Sequence, residues 1–361
     1  MSQPKFVDEV WVLGEAGADG TLIPAVFELS GRARELADAL ASSTGRPHGV
    51  TVLLTLDGRT ADRADPGEAG PYGADRVWVV SAEFLPFDRA ACAKILVHLA
   101  KAGRPQIILA PATAFGRSVM PYAAALLGTG LTADCTGLSI ERESGLLLQT
   151  RPATGGNIMA TIKTPDHRPQ MATVRPKAFG VPKPTPGRNV SVVTPDLPEY
   201  LKENLQKGTV RTVKFSRFAE DEGTLQDREV IVSGGKGLRR PEGFELLSKL
   251  SSLLGAGIGA SRPVVEMKWI GYPHQVGLSG CIVSPRVYIA LGISGAVQHL
   301  AGMQTAEKIV SVNRDPEAQI FSVSDVAICG DLYEVLPKLI EKIESRKLES
   351  GKLESAKRSR T

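Results

Sequence analysis

The sequence holds no framework of paired cysteines. Its four, Cys92, Cys135, Cys281 and Cys329, are widely spaced with no C-x-x-C pair, which argues against a structural zinc site or a disulfide scaffold and suits free, buried thiols. No apolar run reaches the roughly 18 to 20 residues that a membrane-crossing helix needs. The opening MSQPKFVDEVWV lacks the basic-then-apolar pattern of a secretory leader, so a cytoplasmic protein without stable membrane insertion is expected. There is no G-x-G-x-x-G followed by an acidic residue, and no nucleophile, base and orienting group can be assembled from the motifs. Hydrolase chemistry at serine or cysteine therefore finds no support.

What is present is enough chain for two domains: 361 residues with 42% hydrophobic content. The formal charge of +4 does not point to nucleic acid. Residues 341–361 carry seven Lys or Arg against four Glu, a net of +3 that leaves +1 for the remainder, so the basicity is a property of the end of the chain. With its near-repeat KLES-GKLES, that end reads as a frayed helix extension or as a disordered basic tail over 346–361.

Apolar strand-like runs at 9–13, 49–54, 76–80 and 106–110 alternate with helical spacing at 28–40, 89–102 and 117–127. Alternation with short connections predicts a parallel sheet covered by helices. Residues 145–151, 157–162 and 170–175 read as shorter strands that add an antiparallel extension. Four prolines within 176–188 interrupt regular structure. An N-terminal α/β domain is accordingly expected over 1–190 and a linker over 191–227. A second domain, 228–345, opens with a strand at 228–233, a Gly-Gly-Lys-Gly turn and a helix at 242–254. Strands at 287–291, 308–312 and 326–329 complete a doubly wound α/β pattern, in which ligands sit beyond the carboxyl ends of the strands.

The richest stretch is 275–315. A buried strand ending at Leu291 runs into Gly292-Ile-Ser-Gly295, and a helix is expected to follow as far as Met303. Small residues, free amides and the positive end of a helix dipole make such a turn an anion site. Read by itself, the turn is equally an ordinary capped one. His299 is either a ligand-facing imidazole or a helix-face histidine bonded to backbone.

The order of motifs resembles the alpha subunit of electron-transfer flavoproteins, the family that includes the FixB-type proteins. VSGGKGL (232–238), GASRPVVE (259–266), HQVGLSG (274–280), GISGAVQHLAGM (292–303), VNRDPEAQIF (312–321) and GDLYEVLP (330–337) carry the likeness in the second domain. TGLTADCTGL (129–138), RPATGGNIMATI (151–162) and HRPQMATVRP (167–176) resemble the branch with FixB-like and electron-bifurcating members.

The resemblance implies one FAD and a heterodimer with a beta subunit. It implies acyl-CoA dehydrogenases or similar flavoenzymes as electron partners, with a quinone reductase or a ferredoxin at the other end. In a bifurcating complex, NADH electrons would be divided between two acceptors, and a second FAD or an AMP would sit mostly in the partner. An NAD(P)-dependent oxidoreductase with its own substrate is the alternative of another class.

Residue by residue, the resemblance places Ser294, Gly295, Ala296 and Val297 at the flavin pyrophosphate. His299 would lie at the pyrimidine edge as a cation or donor, and Arg262, after Ser261, over the ring, unless it forms only a surface ion pair. Ser279 would lie near the flavin N5, within the segment Gln275, Val276, Gly277, Leu278. Gln298 and Asn313 match further contacts, Asn313 near the adenosine. Asp331 does too, beside Leu332, although an acid at a helix start also serves as an N-cap. Two positions depart from the family pattern: Leu278 stands where glutamine is usual, and Lys236 where arginine is usual, which keeps the charge but loses the fork-shaped donor. His167 and Arg175 read as structural or subunit-contact residues.

Overall fold

A computed structural model describes residues 9–17, 19–82, 85, 88–153, 158–207 and 225–358. Its internal contacts divide the chain into two units, Met1–Ser216 and Arg217–Thr361.

The first unit is built on a seven-stranded sheet in the order β10-β3-β2-β1-β4-β9-β5, parallel throughout. Its strands are β1 (Val10–Gly14), β2 (Val50–Leu56), β3 (Arg76–Ser81), β4 (Ile107–Pro111), β5 (Leu131–Cys135), β9 (Gln170–Val174) and β10 (Ser191–Val193). Strands β1, β2, β4 and β9 are buried along their whole length, as their unbroken apolar runs require of strands covered on both faces. Successive side chains point to opposite faces. Val10, Val12, Val52 and Leu54 pack with Leu29, Ala33 and Leu36 of α1 (Pro24–Thr44). A single helical turn, α2 (Gly58–Ala61), follows β2. Trp11, Leu13 and Leu53 face the other way, toward Ile95 and Leu96 of α3 (Arg89–Gly103) and Val119 and Met120 of α4 (Gly116–Leu127). Proline at the first position starts α1, Gly45 at φ 68° ends it, and Asp88 caps α3 by accepting from the Ala91 amide at 2.9 Å.

The antiparallel extension has three strands, as expected, but not the same three. It comprises β6 (Gly137–Ile140), β7 (Leu147–Pro152) and β8 (Met159–Ile162); the start of the run expected at 157–162 lies outside the described residues. The segment at 170–175 is not part of it. As β9 it lies between β4 and β5, parallel to both, because a fully buried apolar strand belongs in the middle of a covered sheet. After the proline-rich stretch the chain returns as β10 to pair with β3, so the segment from 191 begins as part of the first sheet. Helix α5 (Glu199–Lys207) follows, with Leu201 in the same core as α3.

In the second unit, β11 (Val230–Gly234), β12 (Gly257–Ala260), β13 (Val287–Leu291), β14 (Lys308–Asn313) and β15 (Val326–Cys329) form a parallel sheet in the order β12-β11-β13-β14-β15. The order reverses at β11 and β13, which is where an open α/β sheet leaves a crevice. Helices α6 (Gly243–Leu254) and α9 (Leu332–Arg358) cover one face through Leu247, Leu250, Leu336 and Ile340. The helix α9 carries on into the basic end, through Arg358. The other face buries Val276, Tyr288, Met303 and Ile320 beneath loops. Two short helices, α7 (Arg262–Glu266) and α8 (Val297–Leu300), lead away from strand ends. No described helix is long and apolar enough to cross a membrane.

Candidate functional site

A cavity of about 580 Å³ opens in the second unit where the loops after β11, β12, β13 and β14 converge. This is the volume class of small-molecule and cofactor pockets. Its walls are set by close backbone approaches. The Gly237 amide donates to the Gly292 carbonyl at 2.9 Å, and a Cβ on Gly235 would meet that same oxygen at 2.3 Å. The loops after β11 and β13 can cross only because side chains are absent there.

The loop from Gly292 to Ala296 is held from outside. The Ile320 amide donates to the Ser294 carbonyl at 3.0 Å, and Asn313 Nδ2 donates to the Ile293 carbonyl at 2.9 Å. Gly295 adopts φ 87°, and a Cβ on it would lie 2.2 Å from the Ile320 nitrogen. Held this way, the amides of Ser294, Gly295, Ala296 and Val297 have no acceptor among the described residues. The helix expected to reach Met303 is only the four-residue α8. Its dipole is correspondingly small, and the anion-binding capacity of the turn resides in its free amides.

The second wall is the stretch after β12. Ser261 precedes α7, and Arg262 donates from Nε to Glu266 Oε1 at 2.7 Å, both side chains being more than half exposed. The surface ion pair and the cavity position are thus both real: Arg262 and Glu266 line the same space. Only its Nε is engaged, so the outer fork of the guanidinium keeps its donors. Lys236 and Asp315 also line the cavity, giving two positive and two negative groups in all.

The third wall is the 275–281 loop. Its Val276 amide donates to the Ala260 carbonyl and its Leu278 amide to the Gln298 carbonyl, each at 2.9 Å. Gln275 is buried behind it and donates from Nε2 to Ser279 Oγ at 3.0 Å. Having accepted there, the Ser279 hydroxyl keeps its own proton for another partner. Leu278 stands half exposed at the rim.

His299 is not placed as a free cation. It is buried, with Nδ1 3.0 Å from the Val276 carbonyl and Nε2 3.0 Å from the Tyr288 hydroxyl. A carbonyl only accepts, so Nδ1 carries the hydrogen, and in the neutral ring Nε2 accepts from the phenol. Burial pushes the imidazole down to about 4, against a smaller upward pull from its bond to Val276. Of the two expectations for this histidine, cation or donor, the cation is not met at neutral pH, because desolvation outweighs the stabilising contact to Val276.

Of the residues read from sequence, Lys236, Ser261, Arg262, Val276, Gly277 and Leu278 line the cavity, together with Ser279, Ser294, Ala296, Gln298, His299 and Asn313. Five do not. Gln275 supports Ser279, Gly295 shapes its turn, and Val297 begins α8 with its side chain outward. Asp331 accepts from the Tyr333 amide at 2.9 Å and pairs with Arg239, which is the N-cap reading. Leu332 lies in the core shared by α6 and α9.

Sequence reasoning passed over Gly237, Pro263, Glu266, Gly292, Ile293 and Asp315. The i,i+4 spacing of Glu266 from Arg262 was a usable signal for one of them. Among the described residues no cluster could hold a metal ion.

The sequence has counterparts among known proteins. The profile described as electron transfer flavoprotein domain matches residues 10–200, and that described as electron transfer flavoprotein FAD-binding domain matches 224–304. An electron transfer flavoprotein subunit alpha from Thermoanaerobacterium thermosaccharolyticum is 42% identical over 94% of this chain and 98% of its own length. Protein FixB of Clostridium saccharobutylicum is 41% identical over 92% and 95%. The LctC subunit of lactate dehydrogenase (NAD(+),ferredoxin) from Acetobacterium woodii is 38% identical over 90% of this chain and 75% of its own length.

Proposed function

The chain belongs to the electron transfer flavoprotein alpha-subunit family, and from that membership we propose that its second unit holds one FAD in the cavity between β11 and β13, working as a heterodimer with a beta subunit. The observation that carries the reading is the run of four unpaired amides at 294–297 beside a cavity of about 580 Å³. Pyrophosphate is the part of FAD that such a cradle fits.

Bound FAD supplies the redox chemistry; the chain binds and tunes it. The Ser294 turn would hold phosphate oxygens, Arg262 and Lys236 would supply positive charge, and Ser279 would offer a hydroxyl donor. Asn313 would keep the loop in shape for the nucleotide end. Gly295 and Gln275 serve the site without lining it, whereas Asp331 and Leu332 belong to the start of α9. On this reading the protein carries electrons from flavoenzymes such as acyl-CoA dehydrogenases to a quinone reductase or a ferredoxin, with no organic substrate of its own.

A second reading, a bifurcating complex that oxidises NADH, is favoured by the likeness to LctC. An NAD(P)-dependent oxidoreductase is less well supported, because both nitrogens of the cavity histidine are already engaged. Co-expression with the beta subunit followed by a count of flavin and AMP tests these readings. One FAD with AMP fits a simple carrier, two FAD fit bifurcation, and a complex without flavin overturns the assignment.

A further inference from the structure

Behind His299, on the side away from solvent, lie two hydroxyls that the cofactor reading leaves without a task. Tyr288 is on the central strand β13 with no exposure, and its hydroxyl is 3.0 Å from His299 Nε2. Ser233 is on the neighbouring strand. The register sets Ile231 opposite Tyr288 and Ser233 opposite Ala290, so Ser233 and Tyr288 share one face as diagonal neighbours. The serine is close enough to pull down on the phenol that burial pushes up. Yet its Oγ is fully buried with no hydrogen bond in this arrangement. An orphan hydroxyl in a parallel-sheet core is costly and calls for a reason.

A phenol has one proton to give. While Tyr288 donates it to the neutral imidazole, its oxygen can only accept from Ser233 and cannot donate to it. If Nε2 instead carries a proton, it donates to the Tyr288 oxygen, and the phenolic O–H is released to turn toward Ser233 Oγ. The orphan then has its partner, and both ring nitrogens remain satisfied. The arrangements differ by one O–H rotation and by closing the contact between the two hydroxyls. Without Ser233, the second would leave the phenol proton with nowhere to go.

We propose that Ser233 and Tyr288 form a reversible hydroxyl chain that lets His299 take up a proton when an added electron brings negative charge into the cavity. The inference rests on the FAD reading. One electron enters from a reduced flavoprotein donor, one proton enters from solvent and forms the Nε2–H bond, and the net charge of the site is unchanged. The charged groups facing the same space are Lys236, Arg262, Glu266 and Asp315; around Tyr288 the cluster includes Val276, Ile293, Met303 and Ile320 with Cys281 against it, and Ser311 of β14, hydrogen-bonded to Ser324, shares the same face. Tyr288 and Ser233 are positioning residues, since they act through the imidazole.

The test uses the FAD-loaded complex with its partner subunit, labelled with ¹⁵N-histidine, as wild type, Tyr288→Phe and Ser233→Ala. In the oxidised wild type, His299 should show hydrogen on Nδ1 alone, and after one-electron reduction on both nitrogens. The first reduction potential should then fall with rising pH across about pH 6 to 8. In Tyr288→Phe the proton affinity of the reduced state should drop about tenfold or more, the loss of one hydrogen bond to a charged group. Ser233→Ala should fall between the two. If Tyr288→Phe fails to retain FAD, Ser233→Ala, which leaves every lining residue in place, decides. Wild-type proton uptake in whichever variant keeps its FAD overturns the proposal, as does a reduced wild type with Nδ1 alone protonated. A wild-type complex that binds no FAD is a different failure, that of the cofactor reading itself.

Discussion

Arg175 holds the Asp134 carboxylate with two donors, Nε to Oδ1 at 3.2 Å and Nη2 to Oδ2 at 2.5 Å, and both residues are buried. Asp134 has φ 61° and sits where the pairing of β5 with β9 shifts register. Its amide donates to a side chain, Thr173 Oγ1, at 3.0 Å. The pair therefore anchors a bulge at the edge of the first sheet. That is a structural role for Arg175, one of the alternatives its motif allowed.

Arg175→Met should destabilise the first unit by about 3 kcal/mol, because a buried carboxylate loses the cation paired with it among the described residues. Urea unfolding followed by circular dichroism measures it. A loss under about 1 kcal/mol would mean that water reaches Asp134 and the pair is not a structural anchor.

His299 gives the second unit a defined response to acid. Its pKa is about 4 when folded, below the ordinary 6.5, so the unfolded chain binds the extra proton between those values. The stability this contributes is complete above about pH 6.5 and lost as pH falls toward 4, amounting to about 3 kcal/mol. Denaturant midpoints of the FAD-free protein at several pH values should show the slope, and His299→Gln should flatten it.

Gly295→Ala should damage both folding and the anion cradle. The new Cβ would lie 2.2 Å from the Ile320 nitrogen in a φ 87° conformation, a strain of about 1–3 kcal/mol. FAD content after purification of the complex should fall with it; full FAD occupancy in this variant would locate the phosphate away from the Ser294 turn.

The exposed pair of Arg262 and Glu266 should matter to potential and hardly to stability. Arg262→Ala should change unfolding free energy by less than about 0.5 kcal/mol while lowering the potential for the first electron. Glu266→Gln should raise it, since a negative charge leaves the cavity. Spectroelectrochemical titration with FAD bound measures both, and equal potentials in all three proteins would remove the pair from the neighbourhood of the flavin ring.

Much of the fold could be read in advance because buried parallel strands announce themselves. The apolar runs at 49–54, 106–110 and 287–291 all became strands inside covered sheets. The same rule, applied to 170–175, would have put β9 in the main sheet; proximity to the hairpin strands obscured it. In the cavity, residues close in sequence to a glycine turn were legible. The state of His299 was not, because its two hydrogen-bond partners come from positions 276 and 288, and only folding shows that they leave the ring buried and uncharged. Asp331 misled for the opposite reason: its local role, capping α9, explains it without reference to the cavity.

The short strand β10 determines how this protein can be taken apart. A proline-rich stretch invites a cut, but a fragment ending at residue 190 would strip Ser191–Val193 from β3 and bare the edge of a parallel sheet, a template for self-association. The first module is thus fastened shut by chain that composition alone would assign to a spacer. A recombinant half, or a natural rearrangement that shuffles the two halves, has to carry those three residues with the sheet they close.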